Sequence, residues 1–355
     1  MDALKDSDPL PVTLLTGFLG SGKTTVLNHL VRTLPRTAIL MNEFGAVALD
    51  HQLLQKMDGP LALLSGGCVC CTISGSLSPT LKNLWMARQK GDIPPFERVI
   101  IETTGIADPA PVLDNLLHDN WVRARFRLDG VVTTVDALFG MGQLDAHFEA
   151  VKQVAVADKL LLTKTDLAPA DTVAALRERL ATLNPAADLI TVMHGEIDPA
   201  VVQNLGLWNA ATQSLEVARW LKPQRYQPAR TSMLGGASPI IEKVQPELHD
   251  ARIQSFSVVL DTPIDRYGLH SALSMLTSFR AENLLRFKAI VNLQDEPQPV
   301  VLHGVQHVLY PEAKLDAWPD DDHRSRFVFI VRDLEPEFVA KLLADFTGAA
   351  RSTTE

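Results

Sequence analysis

Cysteine is scarce in this chain: three in 355 residues, all between positions 68 and 71. None is left elsewhere for a long-range bridge, so a disulfide framework is excluded as an organising device. Positive charge is also in deficit. Lys and Arg number 33 against 42 Asp and Glu, a net charge of −9, and a sequence-independent nucleic-acid binder would need a basic face. No apolar run is long enough to span a bilayer. The first residues, Met1 to Asp8, are acidic and polar rather than the apolar core of a secretory leader. Internal repeats and low-complexity segments are missing too. These absences predict a cytoplasmic protein with no membrane or nucleic-acid partner, long enough for more than one domain.

What is present begins at Gly17-Phe18-Leu19-Gly20-Ser21-Gly22-Lys23-Thr24-Thr25, a complete GxxxxGK[ST] phosphate loop. An apolar run, 12–16, precedes it, and the helical pattern Val26, Leu27, Leu30, Val31 follows. Strand, glycine-rich turn and helix therefore stand in the order the motif needs. Gly20 and Gly22 free the backbone to turn its N–H groups inward, and Ser21 stands between them. The helix start at Thr24 and Thr25 adds partial positive charge. Lys23 is placed to reach the β- and γ-phosphates, and the Thr24 hydroxyl to meet Mg²⁺. The motif implies a bound nucleoside triphosphate.

Further apolar runs at 37–42, 98–102, 130–135, 158–163 and 189–193 alternate with helical patterns. Such runs predict a mainly parallel sheet covered on both faces, an α/β fold of the P-loop NTPase kind. Its ligands bind beyond the carboxyl ends of the strands. Residues 221–250 carry Pro223, Pro228, Gly235, Gly236, Pro239 and Pro246, and are read as a linker. The expected organisation is a nucleotide domain over 1–220, the linker over 221–250, and a smaller α+β domain over 251–355. That second domain has the order strand 252–260, helix 264–278, strands 284–293, 299–309 and 326–332, helix 336–346.

Three segments after strand ends complete the nucleotide site. Arg98-Val99-Ile100-Ile101-Glu102-Thr103-Thr104-Gly105 ends an apolar strand in a carboxylate, so Glu102 is a candidate for the Mg²⁺ shell and the Gly105 amide for the γ-phosphate. Thr163-Lys164-Thr165-Asp166 is similar to the guanine-reading NKxD, with Thr for Asn. The Asp166 carboxylate suits the N1–H and exocyclic amine of guanine, which adenine lacks, and the Lys164 stem packs along the base. This selects GTP. Glu43, in Asn42-Glu43-Phe44-Gly45, has three open roles: positioning the attacking water, acting as a fourth metal ligand, or being an exposed acid.

The cysteines lie in Gly66-Gly67-Cys68-Val69-Cys70-Cys71. Cys68, Cys70 and Cys71 offer three soft thiolates on a glycine-preceded loop, a set suited to Zn²⁺ or another thiophilic metal. A redox pair and three buried apolar cysteines are the alternatives.

Taken in order, GFLGSGKTT, NEFG, GGCVCC, IETTGIADP and TKTD resemble the CobW-type metal-chaperone GTPases. The resemblance extends to Leu284-Leu285-Arg286-Phe287-Lys288, His303-Gly304-Val305-Gln306-His307 and Trp318-Pro319 in the second domain. It implies GTP hydrolysis, binding of Zn²⁺, Co²⁺ or Ni²⁺ at the CxCC cysteines, and delivery to a client metalloprotein, and it leaves a homodimer open. Two features depart from the family pattern: Ala46 stands where many members carry an acid, and the ten histidines are scattered. His303 and His307 share a face if 299–309 is one strand, but lie too far apart to hold one metal. The competing readings are a metal buffer or sensor with nucleotide as a structural ligand, and a GTPase with a structural zinc.

Overall fold

A strand that is apolar along its whole length must be covered on both faces, and such strands make the centre of the first sheet. In the computed structural model, the described residues are 8–41, 54–56, 61–64, 68–72, 77–203, 205, 240–243 and 252–349. The first part comprises β1 (Leu10–Gly17), α1 (Lys23–Thr33), β2 (Thr37–Met41), β3 (Leu54–Lys56), β4 (Leu61–Leu64), β5 (Cys68–Thr72), α2 (Leu77–Lys90), β6 (Arg98–Glu102), α3 (Ala110–His118), α4 (Asn120–Arg123), β7 (Phe126–Asp136), α5 (Gly140–Ala146), α6 (Phe148–Ala155), β8 (Lys159–Thr163), α7 (Ala170–Leu183) and β9 (Asp188–Val192). The sheet order is β3-β4-β5-β2-β6-β1-β7-β8-β9. From β5 to β9 every neighbouring pair is parallel, while β3 and β4 extend one edge antiparallel.

Helix α1 shows how the pattern becomes packing. Val26, Leu27, Leu30, Val31 and Leu34 recur at helical spacing and are buried against Leu15, Ile39, Ile100, Val132 and Leu161 from five strands. Each such side chain contributes about 1.5–3 kcal/mol by leaving water. This packing holds the phosphate loop at the strand ends.

The second sheet contains β10 (Ile240–Lys243), β11 (Ile253–Leu260), β12 (Leu284–Leu293), β13 (Glu296–Val305), β14 (Val308–Leu309), β15 (Ala313–Lys314) and β16 (Ser325–Arg332). It is antiparallel, in the order β10-β11-β16-β12-β13-β14, with β15 on β13. Helices α8 (Arg266–Phe279) and α9 (Pro336–Thr347) cover one face, packing Leu269, Leu273, Leu276, Val339 and Leu343 on Phe256, Phe287 and Phe329. The two helices approach closely, since a Cβ at Gly268 would stand 1.9 Å from the Phe346 carbonyl oxygen. The chain divides into two compact units, residues 1–176 with 188–206, and 177–187 with 207–355.

Three expectations need correction. The strand expected over 299–309 breaks: β13 ends at Val305, Gln306 takes a positive φ of 51°, and β14 returns as a hairpin. His307 thus lies in a turn and shares no strand face with His303. The stretch read as a linker contains β10, which pairs with β11. The cysteine segment, read as a loop, is strand β5. Its CVCCT sequence pairs in register with Ala38 to Met41 of β2, an interior sheet position that a glycine-rich flank concealed.

Candidate functional site

The loop between β1 and α1 has the backbone its glycines allow. Gly20 and Gly22 have φ of 74° and 90°, and Gly22 caps α1. A Cβ on Gly17 would lie 2.3 Å from the Thr134 hydroxyl. Ser21 is fully buried, its hydroxyl 2.6 Å from that of Thr134. The first intrahelical bond runs from Val26 N to Gly22 O at 3.0 Å. The amides of Lys23, Thr24 and Thr25 precede that bond in the first helical turn, the arrangement that receives phosphate oxygens. The buried Lys23 ammonium donates to Gly17 O at 2.8 Å and Phe18 O at 3.2 Å, which lays it across the loop.

Beside it, β6 ends at Glu102, and the Thr24 hydroxyl donates to Glu102 Oε1 at 3.1 Å. A hydroxyl and a carboxylate this close form a hard oxygen pair that fits Mg²⁺, directly or through water. The chain then runs past the loop. Thr103 Oγ1 donates to Thr16 Oγ1 at 2.8 Å, and a Cβ on Gly105 would fall 2.8 Å from the Leu19 Cα. Only glycine lets this segment lie against the phosphate loop.

The Thr163-Asp166 segment divides in two. The buried Thr163 hydroxyl lies 2.8 Å from Ser21 O and 3.1 Å from Val135 O, so it ties the phosphate loop to β8. Lys164, at φ 55°, places its ammonium 2.7 Å from Asp136 Oδ2. Asp136 is 1 % exposed and accepts the amides of Leu138 and Phe139 through Oδ1. That pairing fixes the Lys164 stem, while the Asp166 carboxylate stands exposed at the rim. Sequence reasoning missed Asp136, although the run Val131-Val132-Thr133-Thr134-Val135-Asp136 ends in an acid as the Glu102 strand does. It also missed 193–195, where Gly195 (φ 80°) packs so closely that a Cβ would meet Thr25 O at 2.7 Å. Met193 Sδ accepts from Thr165 Oγ1 at 3.2 Å, which joins this turn to the Thr163-Asp166 segment.

The cysteines are placed by the pairing of β5 with β2 and β4. Thr72 pairs with Met41, and Met41 pairs with Glu102, so the end of the cysteine strand and the end of the carboxylate strand share one register row. At the ordinary strand spacing they are about 10 Å apart. Glu43 lies outside the described residues, and among the described residues no group of three or more His, Cys, Asp or Glu converges on a metal site.

The family model for the CobW/HypB/UreG nucleotide-binding domain matches residues 11–191, and the model for the cobalamin synthesis protein CobW C-terminal domain matches 253–347. The chain belongs to the CobW family. It is 34 % identical to the zinc chaperone YjiA of Escherichia coli over 96 % of this chain and 99 % of that one. It is 36 % identical to zinc-regulated GTPase metalloprotein activator 1 of Schizosaccharomyces pombe over 54 % of this chain and 47 % of that one. Zn(II)-bound YjiA GTPase from E. coli superposes with a TM-score of 0.71 at 32 % identity, over 96 % of this chain and 99 % of that one. The expected α/β nucleotide domain and the smaller C-terminal domain are thus those of CobW proteins. Among the described residues no helix is long and apolar enough to cross a membrane.

Proposed function

We propose that this CobW protein is a GTP-hydrolysing zinc chaperone that loads Zn²⁺ onto a client protein, with the nucleotide state setting its hold on the metal. The observation that carries the reading is the shared register row. The strand bearing Cys68, Cys70 and Cys71 lies beside β2, and β2 lies beside the strand ending in Glu102. A change at the γ-phosphate has only one strand to cross to reach the thiolates. Lys23 and the loop amides bind the phosphates, Thr24 and Glu102 hold Mg²⁺, Gly105 meets the γ-phosphate, and Lys164 and Asp166 read guanine. Held by Thr24 and Glu102, Mg²⁺ would neutralise phosphate charge during hydrolysis. The thiolates hold Zn²⁺ as cargo, and Co²⁺ or Ni²⁺ are alternative cargoes for the same donors. Glu43 completes either the hydrolytic site or the metal site. The sequence similarity to a zinc chaperone and to a zinc-regulated GTPase supports the choice of zinc.

The test is Zn²⁺ affinity measured by competition with a chromophoric chelator in three states: nucleotide-free, with GDP, and with a non-hydrolysable GTP analogue. Phosphate release is followed with and without Zn²⁺. A chaperone shows turnover and at least two distinct metal affinities. Turnover that is negligible under all conditions, with one metal affinity throughout, makes the protein a metal buffer instead.

A further inference from the structure

Helix α6 grips the loop that follows the carboxylate strand. Its consecutive residues Lys152 and Gln153 both reach residues 105–108. Gln153 is fully buried, and its Nε2 donates to Gly105 O and Ala107 O, each at 3.1 Å. Two carbonyl acceptors require that the NH₂ end of the amide face them. Gln153 Oε1 has no hydrogen-bond partner among the described residues, so these two bonds are what orient the side chain. Lys152 Nζ lies 2.7 Å from Asp108 Oδ2, and Oδ1 of that carboxylate accepts the Ala110 amide at the start of α3.

The same helix is fixed to the phosphate loop at its other end. His147, the residue before α6, stacks on Phe18 with ring centroids 4.6 Å apart. The Gln153 carbonyl accepts Thr133 Oγ1 at 2.8 Å, and the next residue, Thr134, is the one bonded to Ser21. Gly105 is therefore held from two sides, by Leu19 of the phosphate loop and by the Gln153 amide. Rotating the Gly105 carbonyl away would leave buried donors and acceptors unpaired, a costly event in this setting.

We propose that Gln153, seconded by Lys152, is a positioning residue for GTP hydrolysis: by holding the Gly105 and Ala107 carbonyls it fixes the backbone that follows the Gly105 Cα, and with Leu19 packed on the other side of that Cα the preceding Gly105 N–H is kept where it meets the γ-phosphate. The proposal rests on the GTPase reading above. Because the contact is to the γ-phosphate alone, GDP does not sense it. Gln153→Met keeps the buried volume and removes both donors, and Lys152→Met removes the outer anchor.

Three quantities test it: affinities for GDP and for a non-hydrolysable GTP analogue, kcat and KM for GTP, and amide hydrogen exchange over 103–108 in the nucleotide-free protein. In Gln153→Met the expected result is GDP affinity within about twofold of wild type, analogue affinity and kcat each lower by about tenfold or more, and faster exchange over 103–108. Lys152→Met moves the same quantities in the same direction by less. A folded Gln153→Met with wild-type exchange and an unchanged analogue-to-GDP ratio overturns the proposal. If Gln153→Met does not fold, Lys152→Met, whose side chain is partly exposed, decides by the same comparison. Wild-type protein that fails to bind GTP defeats the GTPase reading, whereas the exchange comparison without nucleotide still decides whether Gln153 clamps the loop.

Discussion

The Thr163 hydroxyl sits 2.8 Å from the Ser21 carbonyl oxygen and so joins the Thr163-Asp166 segment to the phosphate loop. Where the usual guanine motif has an asparagine amide, a threonine hydroxyl makes the link here. Thr163→Val keeps the shape and removes the donor. It is expected to leave a buried carbonyl short of a partner, to cost about 1–3 kcal/mol of stability, and to weaken GDP and GTP alike. Thermal unfolding with and without GDP checks both parts. Selective loss of GTP alone would show that Thr163 acts elsewhere.

Lys23→Ala removes the ammonium that lies 2.8 Å from Gly17 O. Its charge is then lost to the β- and γ-phosphates, and charge-assisted bonds to phosphate are among the strongest a side chain makes. Triphosphate binding and turnover are expected to vanish while the circular dichroism spectrum is retained, because α1 stays packed through Val26, Leu27 and Leu30. A folded variant that hydrolyses GTP normally would move the active loop elsewhere.

The proposed guanine selection rests on Asp166. Its carboxylate is exposed at the rim, and the neighbouring Lys164 is pinned by Asp136. Asp166→Asn is expected to weaken GTP and improve xanthosine triphosphate, whose carbonyl at position 2 pairs with the new amide donor. Asp136→Asn releases Lys164 and is expected to weaken every purine nucleotide without changing the preference. Competition by ATP as effective as GTP in the wild type would dismiss this reading of the loop.

The core of the second domain gives a stability prediction independent of any ligand. A Cβ on Gly304 of β13 would lie 2.1 Å from the Phe287 ring on β12. That ring stacks with Phe329 at 5.9 Å between centroids, in the middle of the sheet, and has little room to retreat. Gly304→Ala is expected to cost about 1–3 kcal/mol through overpacking, measured as a lower denaturation midpoint of the full chain. No change would mean that the ring rearranges freely.

The phosphate loop is readable because its glycines answer a backbone demand that no other residue meets, and because apolar strand and amphipathic helix flank it. The position of Glu102 is readable for a related reason: an acid that ends a buried strand next to a phosphate loop falls beside it, and its Oε1 does accept from Thr24. Asp136 has the same signature but lacks a named motif, and its pairing with Lys164 spans 28 positions, which no local pattern reveals. The cysteines read as a loop because Gly66-Gly67 has the composition of a turn, whereas the pairing of Cys70 with Ile39 is a tertiary choice. The break at Gln306-His307 is hidden because both flanks are β-rich, and periodicity alone cannot place a two-residue turn within them. Gln153 carries no signal beyond being a polar residue on an apolar helix face.

Thr72, Met41 and Glu102 share one register row across β5, β2 and β6. Substituting Cys68, Cys70 and Cys71 by Ser is expected to abolish high-affinity Zn²⁺ binding at about one ion per chain and to remove thiolate-to-metal charge-transfer bands from the Co²⁺ form. The same triple variant retains Lys23, Thr24 and Glu102, so it still binds GTP. If the two sites are coupled through β2, metal and nucleotide must change each other's affinity by one common factor, by thermodynamic necessity. A coupling of about 1–3 kcal/mol is ordinary for such systems. Wild-type protein is therefore expected to bind GTP analogue with different affinity in the presence and absence of Zn²⁺, and the triple variant with a single affinity in both. Nucleotide titrations by calorimetry, with and without saturating metal, give both numbers. Equal affinities in the wild type would leave a GTPase carrying a passive metal, and a metal effect that survives in the triple variant would place the responsive site outside the cysteine strand.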